Sequence, residues 1–354
     1  MSDMSSAMDE AVAAAKSNYA VIDNKKLKVF LGKIFEADVN ILQVQGGAEK
    51  SGSSSGILIF DAAIEHEEGQ ELKKLVLRYD PESNDRLFFE YDLESQYVLI
   101  KKLQDSGLPL PKVYGIDVSG DCLGVSGFIM DCVVGLPIPT SLFASGPLVE
   151  ASDEQRENIY QQILGTLVSI HSLDLAEFGL ADYTKIAPGD TAQEKLINWW
   201  WKTWDWAKPE GFERLVPVRQ WLLDNAPVEN NMVLMHGDPN LGNYMLDNGK
   251  VTAILDWELS SIGSPELDLA IQVLSMEAHM PYADQLPVTP PTQEQWLSYY
   301  YEAGGRPLKN FDYFRKQAAY QILVCLGSMC NYLPESVSAS YKVMAEFYWA
   351  EVEG

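Results

Sequence analysis

The sequence predicts an α+β chain of two lobes, a small β-rich N-terminal lobe and a large, mainly helical C-terminal lobe. Three observations carry that prediction. Short apolar runs of strand length, broken by Gly- and Ser-rich turns, dominate the part before residue 135. Beyond residue 150 the apolar positions recur every three to four residues, the spacing of a buried helix face. Between the later helical segments lies one polar stretch, from His236 to Asp268, interrupted by two short β-type runs. A chain of 354 residues has room for two domains. The expected divisions are a flexible tail over 1–24, a first lobe over 25–131 and a second lobe over 132–354.

Taken in order, LKVFLGKIF after Lys25 has the pattern of a short amphipathic helix, and VNILQVQGG then turns to strand composition. The pair Gly46 and Gly47 opens a loop, AEKSGSSSG, that contains Ser51 and Ser53, and ILIF resumes a strand. In a loop of such small residues, backbone N–H groups can approach phosphate oxygens closely. The order of Lys50, Ser51 and Gly52 does not fit the helix-leading phosphate loop, so a strand-loop-strand cover is expected instead. After a polar insertion, AAIEHEEGQE, the run LVLR forms a third strand and sends Arg78 toward a bound phosphate. The segment YDLESQYVLIKKL, with Glu94 and Gln96, is helical in pattern; SGLPLPKVYG is an extended connection; CLGVSGFIMDCVVG supplies a strand pair, with a hinge over Met130 to Gly135.

In the second lobe, Ser152 and Gln155 suit a capping box that starts a helix with Ile159, Ile163, Leu164, Leu167 and Ile170 on its apolar stripe. Trp199, Trp200, Trp201, Trp204 and Trp206 cannot all share one helix face, so core packing and a buried domain seam are expected to take most of them, with a substrate-lining or partner-facing subset as the alternative. His171 and Asp174 read as local polar anchors. Further helices are expected over VRQWLLDN, DLAIQVLSMEA, QEQWLSYYYEAG and AAYQILVCLGSMCNYL.

Composition narrows the function classes. Hydrophobic residues at 47% and charged residues at 22% describe a chain that folds, not a disordered one. The 26 Lys and Arg against 51 Asp and Glu give a formal charge of −25, which disfavours nucleic acid or an anionic membrane as partner. No secretory signal or spanning run is evident at the start or later, and the four cysteines, Cys122, Cys132, Cys325 and Cys330, form no close C-x-x-C pair, so a cytoplasmic chain with reduced thiols is expected.

The strongest signal is MHGDPNLGNYMLDNGKVTAILDWELSSIGSPELDLA. A hairpin of NYML and VTAIL about Asn248-Gly249 would bring Asn243 and Asp256 together despite their distance in sequence. Phosphoryl transfer to an alcohol needs a carboxylate beside the attacking hydroxyl and hard oxygen ligands for Mg2+ around the donor phosphates. Asp238 suits the first task, and Asn243 with Asp256 the second. Glu258 can tune the metal site or meet a cationic substrate, while Asp268 is expected to tie the second lobe together.

These residues resemble the aminoglycoside phosphotransferase-like (phosphotransferase enzyme) family of the protein-kinase-like fold. HGDPNLGN matches its H-x-D-x-x-x-x-N, and ILDWE stands where its metal-binding aspartate is found. The resemblance implies a bilobal kinase-like fold, ATP or GTP as phosphoryl donor, Mg2+ as cofactor and a small-molecule hydroxyl acceptor. It makes Asp238 the catalytic base, Asn243 and Asp256 the metal ligands, His236 a loop organiser, and Gly46, Gly47, Ser51, Ser53 and Arg78 the nucleotide-binding set. Two positions depart from the kinase pattern: Arg78 replaces the usual lysine, and Gln96 occupies the register of the usual glutamate. The segment ILDWELSSIGSP looks most like the branch of kinase-like domains associated with acyl-CoA dehydrogenases. A hydroxylated acyl metabolite is therefore expected as acceptor ahead of an aminoglycoside; a nucleotide-dependent regulatory protein is the remaining alternative.

Overall fold

The computed structural model describes residues 22–45, 55–81, 87–139, 142–228, 232–331, 333 and 335–354. They divide into two compact units. One holds the described residues up to Gln104, Pro111–Val133 and the described part of Tyr332–Val337; the other holds Asp105–Leu110, Val134–Asn331 and Ser338–Gly354.

The first unit is a five-stranded antiparallel sheet. Its strands are β1 (Asp38–Gln45), β2 (Gly56–His66), β3 (Gly69–Tyr79), β4 (Val113–Asp117) and β5 (Gly127–Asp131), in the order β1-β2-β3-β5-β4. Helix α1 (Asn24–Phe35) begins where the side chain of Asp23 accepts a 2.7 Å bond from Lys25 N, and ends at Glu36 in the left-handed conformation. Its Leu27, Phe30 and Leu31 pack with Phe60, Ile64, Leu75, Leu77 and Ile129 of the sheet. Each such side chain contributes roughly 1.5–3 kcal/mol by leaving water. Helix α2 (Leu93–Lys102) is capped by Asp92, which accepts from Ser95 N at 2.8 Å.

Two local expectations change. AAIEHEEGQE is no insertion: β2 and β3 pair without interruption from Gly56↔Tyr79 to His66↔Gly69, so the polar residues form the exposed end of one long hairpin. The partner of GFIMD is VYGID, upstream of it, and not a second strand of its own segment. The prolines before Lys112 end where a strand can begin, since proline excludes only its own N–H from a ladder.

The second unit is mainly helical. After a two-residue strand β6 (Leu136–Pro137) and a single turn α3 (Pro147–Glu150) come α4 (Asp153–His171), α5 (Ala192–Ala207) and α6 (Leu215–Asp224). The capping box of Ser152 and Gln155 forms, and Ile159, Ile163, Leu164, Leu167 and Ile170 are buried along α4. Strands β7 (Val233–Met235), β8 (Tyr244–Asp247), β9 (Lys250–Ile254) and β10 (Ser261–Gly263) make two small sheets, β10-β7 and β6-β8-β9. Helices α7 (Pro265–Glu277), α8 (Gln293–Glu302), α9 (Phe311–Cys330) and α10 (Glu335–Glu353) complete the unit.

The tryptophan segment divides by face. Trp199 and Trp200 are buried, Trp201 stacks on Trp204 at 4.3 Å with the Arg219 guanidinium over its ring, and Trp206 is exposed. Among the described residues no helix is long and apolar enough to cross a membrane.

Candidate active site

The β8-β9 hairpin builds the first half of the site. Asn248 and Gly249 both take positive φ, 49° and 76°, the backbone that a two-residue turn between twisted strands demands. The ladder then runs back from Asp247↔Lys250 to Tyr244↔Ile254. One further bond, Leu255 N to Asn243 O at 2.8 Å, continues it past the strand end. That bond brings Asn243 beside the residue preceding Asp256. Asp256 itself adopts left-handed backbone, φ 67° and ψ 62°, at the start of a 3-10 turn over Trp257–Leu259. Such a conformation costs a non-glycine residue about 1 kcal/mol and is most often kept where a side chain must be aimed.

The loop from His236 to Asn243 builds the second half. Gly237 has φ 82°, and a Cβ there would lie 2.2 Å from Leu259 O, so only glycine lets the two segments approach. The Asp238 carboxylate receives Asn243 Nδ2 on Oδ2 at 3.0 Å and Asn240 Nδ2 on Oδ1. The same Asn243 Nδ2 also donates to Asp238 O at 2.8 Å. Burial, reinforced by the negative charge of Asp256, pushes the Asp238 carboxyl up to about 6, against the opposing pull of the two asparagine amides. A carboxylate with that proton affinity is better matched to accepting a proton from a hydroxyl than an ordinary surface aspartate.

His236 is fully buried and engaged internally. Its Nε2 lies 2.9 Å from Leu255 O, its Nδ1 is 3.3 Å from Asp238 N, and its ring packs on Trp257 with centroids 4.6 Å apart. Burial holds its pKa below the usual imidazole value although Asp268 and Asp256 pull the other way. The neutral ring joins the two halves of the site. Asp268, with no exposed surface, accepts from His236 N at 2.8 Å and Gly237 N at 2.9 Å and faces His171 Nε2 at 3.0 Å. Glu258 lies on the 3-10 turn after Asp256, half-buried, and its backbone oxygen accepts from Lys185 Nζ at 2.8 Å.

The structure therefore brings Asp238, Asn243 and Asp256 together around the mouth of one hairpin, with His236 behind them. Among the described residues there is no cluster of three or more His, Cys, Asp or Glu side chains arranged for a metal ion. The oxygens of one asparagine and one aspartate fit Mg2+ in particular, which keeps several sites for phosphate and water. Asn243 suits that use, because its Nδ2 is directed at Asp238 and its carbonyl oxygen is turned elsewhere.

Arg78 belongs to the first unit, on β3 between Ile57 and Phe128, and is nearly buried. Gln96 is also buried on α2, and among the described residues neither of its amide atoms has a hydrogen-bond partner, so no such bond joins it to Arg78. Gly46, Gly47, Ser51 and Ser53 lie outside the described residues. Three residues that shape the loop escaped notice in the sequence: Asn240, Gln272 and Ser275. Gln272 and Ser275 stand out as polar residues at helical spacing after Asp268 in the otherwise apolar DLAIQVLSM, whereas nothing local marks Asn240.

The profile of the phosphotransferase enzyme family aligns with residues 65–306, more than half of the chain and inclusive of every residue of the hairpin site. The chain belongs to this family. It is accordingly a phosphotransferase, with a β-rich first unit and a helical second. A Ralstonia eutropha protein described as an aminoglycoside phosphotransferase shares the fold, with TM-score 0.68 at 20% identity over 94% of this chain and 99% of that one. A thermostable mutant of aminoglycoside phosphotransferase APH(4)-Ia, in ternary complex with AMP-PNP and hygromycin B, superposes with TM-score 0.53 at 15% identity, covering 93% and 97%. Among curated relatives, mouse acyl-CoA dehydrogenase family member 10 is 26% identical over 266 residues, 72% of this chain and 24% of that protein. Chicken acyl-CoA dehydrogenase family member 11 is 30% identical over 185 residues, 51% of this chain and 22% of that protein. The phosphotransferase chain thus spans about a quarter of the length of these relatives.

Proposed function

We propose that this phosphotransferase is an ATP- or GTP-dependent, Mg2+-dependent O-phosphotransferase that acts on the hydroxyl of a small molecule, with a hydroxylated acyl metabolite as the favoured acceptor class and the cytoplasm as its setting. The observation that carries the reading is the Asp238 carboxylate, held by the Asn243 amide and close enough to Asp256 for that charge to raise its proton affinity.

In this reading Asp238 orients the acceptor hydroxyl and takes its proton. The acceptor oxygen forms a bond to the γ-phosphorus as the bond to the β,γ-bridging oxygen breaks, and the nucleoside diphosphate leaves with that electron pair. Asn243 and Asp256 would hold Mg2+, which when bound neutralises part of the phosphate charge. Arg78 contributes a planar guanidinium to the phosphates, and Gly46, Gly47, Ser51 and Ser53 complete the nucleotide-binding set. His236 keeps the loop in register, and Glu258 would tune the metal site or meet a cationic acceptor.

The acyl preference is supported by the names of the curated relatives, acyl-CoA dehydrogenase family members, and by the aromatic second unit. The aminoglycoside alternative is supported by the structural neighbours. Hydroxylated acyl compounds, amino alcohols and aminoglycosides offered with ATP and with GTP, and read by phosphoproduct mass, separate the two. Asp238→Asn is expected to lower turnover by about 100-fold or more while magnesium-nucleotide binding persists. Turnover undiminished in that variant removes Asp238 from the role of base. Nucleotide binding with no acceptor phosphorylated favours a regulatory protein, a reading to which the unpartnered Gln96 lends its support.

A further inference from the structure

Helix α7 carries Asp268, Gln272 and Ser275 at intervals of four and three residues, which places all three on one face. Each holds a successive piece of the loop that bears Asp238. Asp268 accepts from the backbone of His236 and Gly237. Gln272, fully buried, donates from Nε2 to Pro239 O at 2.8 Å, and its Oε1 accepts from Trp296 Nε1 at 3.0 Å. Ser275 Oγ donates to Asn240 Oδ1 at 2.7 Å, and Asn240 Nδ2 in turn donates to Asp238 Oδ1.

The order of donors matters. An asparagine amide has nearly the same shape in both orientations, and only one of them presents N–H to a carboxylate. The acceptor-only carboxylate selects that orientation, and the Ser275 hydroxyl holds it by donating to the carbonyl end. With Asn240 on Oδ1 and Asn243 on Oδ2, the Asp238 carboxylate is gripped at both oxygens, and its plane is fixed. Reaction rates at such a group are steep in orientation. We infer that Ser275 and Gln272 are positioning residues for Asp238, acting through Asn240 and through the Pro239 carbonyl.

The inference rests on Asp238 being the base, and the experiment separates the two claims. Side-chain amide resonances of Asn240 are followed by NMR in the unsubstituted chain, in Ser275→Ala and in Ser275→Thr. Turnover is measured as phosphate release from magnesium ATP with water as acceptor. Ser275→Ala is expected to shift or broaden the Asn240 amide pair and to lower kcat by roughly 3- to 10-fold, with the KM for ATP within about twofold. Ser275→Thr, which keeps the hydroxyl, restores both. Asn240→Ala lowers kcat by about 10-fold or more, and the double variant Asn240→Ala/Ser275→Ala is no slower than Asn240→Ala alone, since both act through one contact. An Asn240 amide indifferent to Ser275→Ala, or additive losses in the double variant, overturns the relay. If instead Asp238→Asn retains full turnover, the reading of Asp238 as base fails, and the amide resonances still decide whether the relay exists.

Discussion

At the scale of the residue, the site works by placing a carboxylate where its charge is costly. Asp238 is partly removed from water and stands near Asp256, so its carboxyl titrates at about 6 instead of the ordinary 3.8. A proton bound more tightly in the folded chain than in the unfolded one stabilises the fold only between those values and below. As pH rises through 6 that contribution is lost, and at neutral pH the ionised group is a net cost. Asp238→Asn is therefore expected to raise stability by about 1–2 kcal/mol at pH 7.5 and by nothing measurable at pH 3.5 in urea unfolding, while turnover collapses. Asp256→Asn removes the neighbouring charge; carboxyl NMR should then find Asp238 titrating below 6 without nucleotide or metal. An unchanged Asp238 titration in that variant would mean that the two carboxylates do not sense each other. That Asp238, Asn243 and Asp256 would lie at one hairpin was legible in the sequence, because an Asn-Gly pair between two strand-like runs closes their separation. Asn240 and Ser275 were not, because an asparagine in a loop and a serine in a helix have many ordinary uses until a distance joins them.

At the scale of the element, the hairpin and helix α7 are the two parts that aim the site. The turn at Asn248-Gly249 requires positive φ at both positions, which only glycine and, less readily, asparagine adopt at small cost. Gly249→Ala is expected to cost about 1 kcal/mol in urea unfolding and to lower magnesium-dependent turnover, since a splayed hairpin separates Asn243 from Asp256. The far end of α7 is fastened differently. Arg315 on α9 reaches Glu277 of α7, Gln293 of α8 and Glu351 of α10 at 2.6–2.9 Å, and these partners hold its guanidinium charged. Truncation to Ala leaves two carboxylates facing each other in a largely buried place. A loss of about 2–4 kcal/mol is expected, smaller in Arg315→Met, which fills the volume. Equal losses for the two substitutions would show that the guanidinium charge, and not the packing of the side chain, ties these helices. The turn could be read from its Asn-Gly pair, whereas the arginine hub could not, because four helices contribute to it and no local pattern marks them as neighbours.

At the scale of the whole molecule, charge and connectivity set the behaviour. A formal charge of −25 makes the folded chain repel itself, and screening shortens that repulsion to about 10 Å at 0.1 M salt. Raising sodium chloride from 10 to 200 mM should accordingly raise the melting temperature, and a fall would show that attractive ion pairs dominate. The division into a sheet unit and a helical unit followed from the sequence, since apolar period two and apolar period three to four are properties of consecutive residues. So did the hairpin and the capping box of α4. What a single strand pairs with is another matter: VYGID and GFIMD are neighbours in the sheet, and β2 with β3 absorbs a polar run that looked like an insertion. Local composition determined which residues could do chemistry here and which elements would carry them. The tertiary fold alone decided that α7 would present Asp268, Gln272 and Ser275 to the loop in turn, because hydrogen bonds between residues more than thirty positions apart depend on packing direction, and packing direction is written in no single segment.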